Sequence, residues 1–405
     1  MRAYERLIQY VQVHTASAED TSVTPTTSRQ FDLSRMLEKE MKELGMQGVF
    51  VDEHAYTYGF LPATEGFEDK PCIGLIAHLD TIPDFPGENV KPTLVENYDG
   101  GVVPLGESGR CLDPEQFPHL KKLIGHTLIT TDGTTVLGAD DKAGIAEIMT
   151  ACERLITEKL PHGRISVCFT PDEEVGHGAE LLDLERFGAD FAYTVDGGEA
   201  NEVNCETFNA ASAVFEVKGF NIHPGSAKDK MINAALVAME CNALLPAAER
   251  PEHTEDHEGF FHLTEMKGSV EKAELHYIVR DHDAASFAAR EKTLRQIEKF
   301  INEKYGAGTV KLTIRQQYRN MIEKLDGHMQ IVELAEKAIR AAGMEPVRVP
   351  IRGGTDGAQL SYRGLLCPNL GTGGYCCHGP HEHASAQEMD KATNVLLGII
   401  RLNLE

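Results

Sequence analysis

Four short apolar runs, CIGLIAHLD, TTVLGADD, RISVCFTPDEE and FAYTVDGGE, each end on acidic or histidine side chains. Continuous runs of this length do not alternate as half-exposed strands do, so they predict buried strands of an α/β sheet. A strongly periodic segment near 142–159 predicts a helix between the second and third. Amphipathic helices are also predicted at about 3–13 and 28–44, the second opened by Ser28 and closed by Gly45. The stretch 83–126, rich in Pro, Gly and Asp, reads as an excursion of loops and short hairpins.

Between 207 and 320 the pattern changes to strand, helix, strand, strand, helix, strand. That βαββαβ order is the split arrangement of a small ferredoxin-like sandwich. Helix 327–342, the strand-like VRVPI and LLCPNL, and a last helix from about 387 then return the chain to the first sheet. The expected organisation is a first domain of residues 1–206 and 321–405, built on a mostly parallel sheet flanked by helices. It is interrupted by an inserted domain, 207–320. A chain of 405 residues is long enough for two or three such domains.

Thirty-nine basic against 63 acidic side chains give a net charge of −24, a field that repels phosphate backbones and anionic lipid. Nucleic acid and membrane are therefore not expected as partners. No run approaches the roughly 20 apolar residues of a membrane span. The opening MRAYERLIQYVQVHTASAED has Leu7, Ile8 and Val11 at helical spacing broken by charge, unlike a signal segment. Nine cysteines, an odd number without a C-x-x-C pair, indicate neither a disulfide framework nor a zinc ribbon, and a reducing cytoplasm is the expected location.

In open α/β sheets, ligands gather outside the carboxyl ends of the strands. Here those ends carry His78 and Asp80, then Asp140 and Asp141, then Glu173 and Glu174, then Asp196. The segment NLGTGGYCCHGPHEH adds His378, His381 and His383. So many carboxylates on one edge would raise one another's pKa unless cations neutralised them. A mixed His/carboxylate set favours zinc, or cobalt or manganese, over calcium or magnesium. One acidic pair alone is commonly a solvated turn or a helix N-terminus; it is the recurrence at four successive strand ends that points to metal. From spacing alone, either His378 or His381 could reach it. Cys376 and Cys377, just before His378, could supply thiolates but read more simply as buried small hydrophobes.

The segments AHLDTIP, GADDKAGIAEIM, TPDEEVGHGA, YTVDGGE, NIHPGSAK, IRGGTDGAQLS and GGYCCHGPHEH resemble those of the tripeptide aminopeptidases. These belong to a wider family of di-zinc exopeptidases and deacylases that includes carboxypeptidases, dipeptidases and aminoacylases. The resemblance implies two zinc ions per subunit, tripeptide substrates, and an inserted domain acting as a lid and homodimerisation surface. By position it implies His78, Asp140, Glu174, Asp196 and His378 as metal ligands. Asp140 would bridge the two ions, with His78 and Asp196 completing one site and Glu174 and His378 the other. The family's ligand precedes a Glu by four residues, as His378 precedes Glu382. Glu173 matches the general base and Asp80 the carboxylate that orients His78.

Physical chemistry is consistent with these roles. Asp80, two residues from His78, stands on the same side of an extended strand end. Adjacent Glu173 and Glu174 point in different directions, so that one can bind metal while the other accepts a proton. The resemblance also implies that His223 approaches the scissile carbonyl, either within its own subunit or from the other subunit of a dimer. It places Asn233, Arg280 and Arg352 where relatives hold the substrate carboxylate, a task suited to the arginine fork. For both arginines, a surface or lid-packing role is the alternative. His253 and His257, in PEHTEDHEG, read as part of a solvated loop.

Other family activities (dipeptidase, carboxypeptidase, N-acyl amino-acid deacylase) would share the metal centre. A non-catalytic nucleotide-binding or regulatory protein is the distant alternative, since LGTGGY and GGTDG complete neither G-x-x-x-x-G-K-[ST] nor G-x-G-x-x-G. No G-x-S-x-G elbow supports a serine hydrolase.

Overall fold

Two of the apolar runs, Ile73–His78 and Ile165–Thr170, form strands that are buried at every residue, as expected where a sheet is covered on both faces. The computed structural model describes residues 1–19 and 21–405. These fall into two units, one of Met1–Cys205, Glu323–Val349 and Thr355–Glu405, the other of Glu206–Ile322 and Pro350–Gly354.

The main sheet of the first unit has eight strands: β1 (Gln47–Val51), β2 (Thr57–Leu61), β3 (Ile73–His78), β4 (Ile165–Thr170), β5 (Phe191–Gly197), β6 (Glu202–Asn204), β7 (Val347–Arg348) and β8 (Asn369–Gly371). Their order is β1-β2-β4-β3-β5-β8-β6-β7. The central strands β4, β3, β5 and β8 are mutually parallel, while β1 and β2 add on antiparallel. Four carboxyl ends therefore face one edge, where ligands gather in such sheets.

Helices α1 (Ala3–Tyr10), α2 (Gln30–Leu44), α3 (Ala139–Thr157), α4 (Gln330–Ala341) and α5 (Ala386–Leu402) flank this sheet. α3 lies so close to β5 that a Cβ on Gly144 would stand 1.8 Å from the Val195 carbonyl oxygen; only glycine admits that approach. A separate apolar cluster joins Tyr58, Cys168, Ile76 and Ala192 of β2, β4, β3 and β5 to Phe187, Leu360 and Leu365. α2 ends where expected, on Gly45 at φ +87.

One expected strand is absent. The run 134–138 is irregular and leads directly into α3. Gly138 sits at φ +76, outside the extended region. The amides of Leu137, Gly138 and Asp140 are bonded to the Glu382 carboxylate at 2.7, 2.8 and 3.0 Å, so a side chain rather than a neighbouring strand satisfies this backbone. The excursion holds the short strands Thr93–Val95, Val103–Pro104 and Cys111–Leu112 and the turn Pro118–Leu123. They pack on their own cluster, which includes Tyr98, Leu105, Leu112 and Leu120.

The second unit is a four-stranded antiparallel sheet, Phe260–Gly268, Lys272–Asp281, Asn209–Lys218 and Val310–Tyr318 in spatial order. Helices Ala234–Ala243 and Ala284–Tyr305 pack on it, and their Val237, Leu294 and Ile301 share a core with Phe215, Leu275 and Val279. The chain order is βαββαβ. Residues 350–354 join this unit through a Thr207–Ile351 bridge and a bond of 3.2 Å from Phe208 N–H to the Gly353 carbonyl.

Buried charge marks one cost of this packing. Glu147 of α3 has no exposed surface, and neither carboxylate oxygen has a hydrogen-bond partner among the described residues. Burial, aided by the nearby Asp390, pushes its pKa well up. A group with a raised folded-state pKa supports the fold below its unfolded pKa and loses that contribution as pH rises toward the folded value. Glu147→Gln, which cannot ionise, is expected to match the parent chain in urea unfolding near pH 4 and to exceed its midpoint at pH 8. Equal midpoints at both pH values would show that Glu147 carries no such cost.

Candidate metal centre

The carboxyl ends of β3, β4 and β5 bring His78, the turn Glu173–Val175 and Asp196 to one edge. Asp140, in the first turn of α3, stands among them, as does His378 from the loop after β8. Asp140 lies between the two histidines. Its Oδ1 is 2.9 Å from His78 Nε2 and its Oδ2 is 3.1 Å from His378 Nε2. Asp196 Oδ1 stands 3.5 Å from His78 Nε2, and Glu174 Oε2 stands 3.2 Å from His378 Nε2. His381 does not join them; its ring lies against Phe117, with centroids 5.2 Å apart.

The surrounding backbone fixes this cluster. Asp80 is fully buried, and its carboxylate accepts the amides of Glu173 at 2.9 Å and Glu174 at 3.2 Å. The nearer acceptor for His78 Nδ1 is the main-chain carbonyl of Asp80 at 2.9 Å, with the carboxylate at 3.4 Å. The backbone carbonyl of Asp80 thus lies nearer the imidazole than the carboxylate expected to orient it, and the side chain holds the amides of the two glutamates. Asp141 accepts the amides of His78 at 3.1 Å and Gly144 at 3.2 Å, pinning β3 to α3. The Asp140–Asp141 peptide is cis.

Burial and mutual repulsion shift the acidity of this cluster. Burial first, then the negative charge of Asp140, pushes Glu174 up to about 7. Burial likewise raises Asp196 to about 7. Burial and Asp196 push Glu173 well up. Bonds to Asp140 and Glu174 raise His378 to about 11. Burial opposes protonation of His78, yet Asp196 and the bond to Asp140 carry its pKa well up. Against its own burial, Asp140 is held low by both histidines. So many mutually repelling buried carboxylates are a setting that cations would neutralise. Glu174 Oε1 is buried without a partner among the described residues. The groups His78–Asp140–Glu174 and His78–Asp141–Asp196 each offer three ligand atoms within 4.8 Å of one another. Nitrogen and carboxylate donors in this mixture suit zinc-like ions.

Three further residues were not singled out from the sequence. Glu382, noted there only as a marker of spacing, cradles the approach to Asp140 through three amides, and burial raises it to about 7. Lys142 is buried one turn into α3, is lowered by that burial to about 7, and donates to the Val13 carbonyl at 2.8 Å. Asp356, within the quoted IRGGTDGAQLS, accepts from Thr170 Oγ1 at 2.8 Å, and its Oδ1 has no partner among the described residues. A buried carboxylate's partners are distant in sequence and leave no local pattern.

The remaining four expected residues lie in the second unit. His223 is exposed, and its Nδ1 accepts from the Gly225 amide at 3.1 Å. Asn233 caps helix Ala234–Ala243, accepting from Ala235 at 3.1 Å. Arg280 donates to the carbonyls of Val279 at 2.9 Å and Ala211 at 3.2 Å, under Tyr318. Arg352 donates to the carbonyls of Asp256 and Glu258, both at 2.8 Å, and to Thr254 Oγ1 at 2.9 Å, beside Phe208 and Phe260. The loop read as solvated is therefore tied down by Arg352.

Comparison with known proteins agrees with this architecture. Peptidase T of Clostridium perfringens (strain 13 / Type A) is 52% identical over 405 residues, covering 100% of this chain and 99% of the relative. The crystal structure of aminopeptidase PepT from Bacillus cereus has a TM-score of 0.80 at 23% identity, covering 100% of this chain and 98% of that one. That of a tripeptidase from Staphylococcus aureus has a TM-score of 0.78 at 21% identity, with the same coverage. At these identities the two structural likenesses are of fold. Residues 135–402 match the profile of peptidase family M20/M25/M40. With a full-length relative at half identity and a family match spanning most of the chain, this protein belongs to peptidase family M20/M25/M40.

Proposed function

We propose that this metallopeptidase removes the N-terminal residue from tripeptides with the help of two zinc ions, cobalt and manganese being the alternatives. The observation that carries the reading is Asp140, which presents one carboxylate oxygen to each of two histidines. That is the donor arrangement a bridging ligand needs. His78 and Asp196 would complete one site, and Glu174 and His378 the other. When bound, such ions supply a Lewis acid and a water of lowered pKa.

The chain's own groups do the rest. Glu173 is held through its backbone by Asp80, and its buried carboxylate has a raised proton affinity. It accepts a proton from the attacking water at a carboxylate oxygen and passes it to the leaving amine nitrogen, so that amide and water become acid and amine. The Asp80 carbonyl holds the Nδ1–H of His78 and so presents Nε2 to the centre. The second unit acts as lid and homodimerisation surface, with His223, Asn233, Arg280 and Arg352 as candidate substrate contacts. Their present bonds favour packing roles for both arginines, whose donors already serve main-chain carbonyls. Nine free cysteines support a reducing, cytoplasmic location. Among the described residues, no helix is long and apolar enough to cross a membrane.

The relatives support the peptide class: one is named Peptidase T, and the two solved neighbours are an aminopeptidase and a tripeptidase. The test compares Ala-Ala-Ala with its N-acetylated form, its C-terminal amide, a dipeptide and a tetrapeptide. The free tripeptide is expected to be hydrolysed from its N-terminus and the N-acetylated form left intact. Preferred cleavage of the N-acetylated substrate would instead favour a deacylase, preferred cleavage of the dipeptide a dipeptidase, and release of the C-terminal residue a carboxypeptidase.

A further inference from the structure

A second set of metal-ligand side chains, unused by the proposed chemistry, meets the loop that carries His378. His119, Cys376 and His383 each offer one ligand atom, and the three atoms lie within 4.8 Å of one another. The imidazoles approach through Nε2, 3.1 Å apart. His383 is completely buried, and its Nδ1 lies 2.8 Å from the His381 carbonyl. A neutral His383 that donates this bond presents Nε2 as a bare lone pair, the tautomer a metal ligand requires. Two nitrogens at roughly 2.0–2.1 Å from one tetrahedral zinc lie about 3.3–3.4 Å apart, close to the separation seen here.

The rings are also pre-positioned. Tyr375 stacks on His119 with centroids 4.7 Å apart and planes at 0°, and on His383 at 5.4 Å and 15°. Cys376 is at φ +54, in the left-handed region that side chains rarely adopt. It packs against the apolar cluster of Tyr98, Leu120, Leu123 and Tyr375. An apolar surround strengthens the attraction between a thiolate and a cation.

We propose that His119 Nε2, His383 Nε2 and Cys376 Sγ form a site for one further divalent ion of the zinc class, separate from the candidate centre at Asp140. The sulfur donor selects zinc or cobalt over magnesium or calcium, and binding releases the thiol proton to solvent. The ion would tie the turn Pro118–Leu123 to the 376–383 loop. Cys376 stands two residues before His378, so this tether would brace the segment that presents His378.

Cobalt separates this site from the other. None of the candidate ligands around Asp140 is sulfur, so a thiolate-to-cobalt charge-transfer band in the near ultraviolet reports the further site alone. The full-length chain, stripped of metal and reloaded with Co2+, is expected to show that band. Cys376→Ser should abolish the band and remove one ion per chain by elemental analysis; His119→Ala should likewise remove one ion. Cys377→Ser should keep both band and ion. A parent chain without the band, a band that survives Cys376→Ser, or one lost in Cys377→Ser would overturn the proposal, leaving His119 and His383 as a plain hydrogen-bonded pair. Failure of the catalytic reading would look different: Asp140→Ala would retain every ion.

Discussion

Glu173→Ala is expected to lower kcat on a free tripeptide by about 10²–10⁴-fold, the range for loss of a positioned general base, while metal content stays that of the parent chain. The two outcomes separate because the proposal gives Glu173 and Glu174 different tasks. Glu174 Oε2 lies 3.2 Å from His378 Nε2, within the ligand cluster. Glu173 shares its backbone anchor, both amides bonding the Asp80 carboxylate, but it belongs to neither three-residue ligand group around Asp140. On the proposed roles, removing its side chain takes away a proton acceptor and no donor to metal. Glu173→Gln is the stricter variant, since it keeps the shape and removes only the basicity. Elemental analysis of gel-filtered protein alongside initial rates decides the matter. Near-normal turnover in either variant would refute the general-base role, and loss of metal would move Glu173 into the ligand set.

What the sequence exposed, and what it hid, follows from where hydrogen bonds go. The strands at Ile73 and Ile165 were legible because burial on both faces writes a continuous apolar run. The second unit was legible because each strand and helix keeps its own period. The run at 134–138 looked the same by composition, yet its amides are taken by Glu382, 245 residues beyond Leu137. No local pattern records such a bond. The same limit applies inside the site. Strand-end carboxylates stood out one by one, and the spacing of His378 from Glu382 was visible. That Glu382 itself supports the Asp140 backbone depends on a contact across the chain. His119 was invisible for that reason too, since its partner His383 lies 264 residues away.

Asp140→Ala should have the largest effect on metal, because it removes a carboxylate that faces both histidines. Loss of an outer partner of a metal ligand typically costs about 10–100-fold in affinity. Loss of a shared ligand should exceed that at both positions together, and tripeptide hydrolysis should fall with it. Glu382→Gln supplies the calibrating comparison, as that carboxylate touches the Asp140 amide but no candidate ligand atom. It should weaken metal within the 10–100-fold range. Asp196→Ala and Glu174→Ala, each adjoining a different histidine, should each empty one position and spare the other. Asp140→Asn, nearly isosteric, guards against a folding defect: thermal unfolding should resemble that of the metal-stripped parent while metal is still lost. Competition against a chelating indicator reads all five variants. If Asp140→Ala bound metal as tightly as Glu174→Ala and lost only one ion, Asp140 would belong to a single position, and the two-metal reading of this edge would fail.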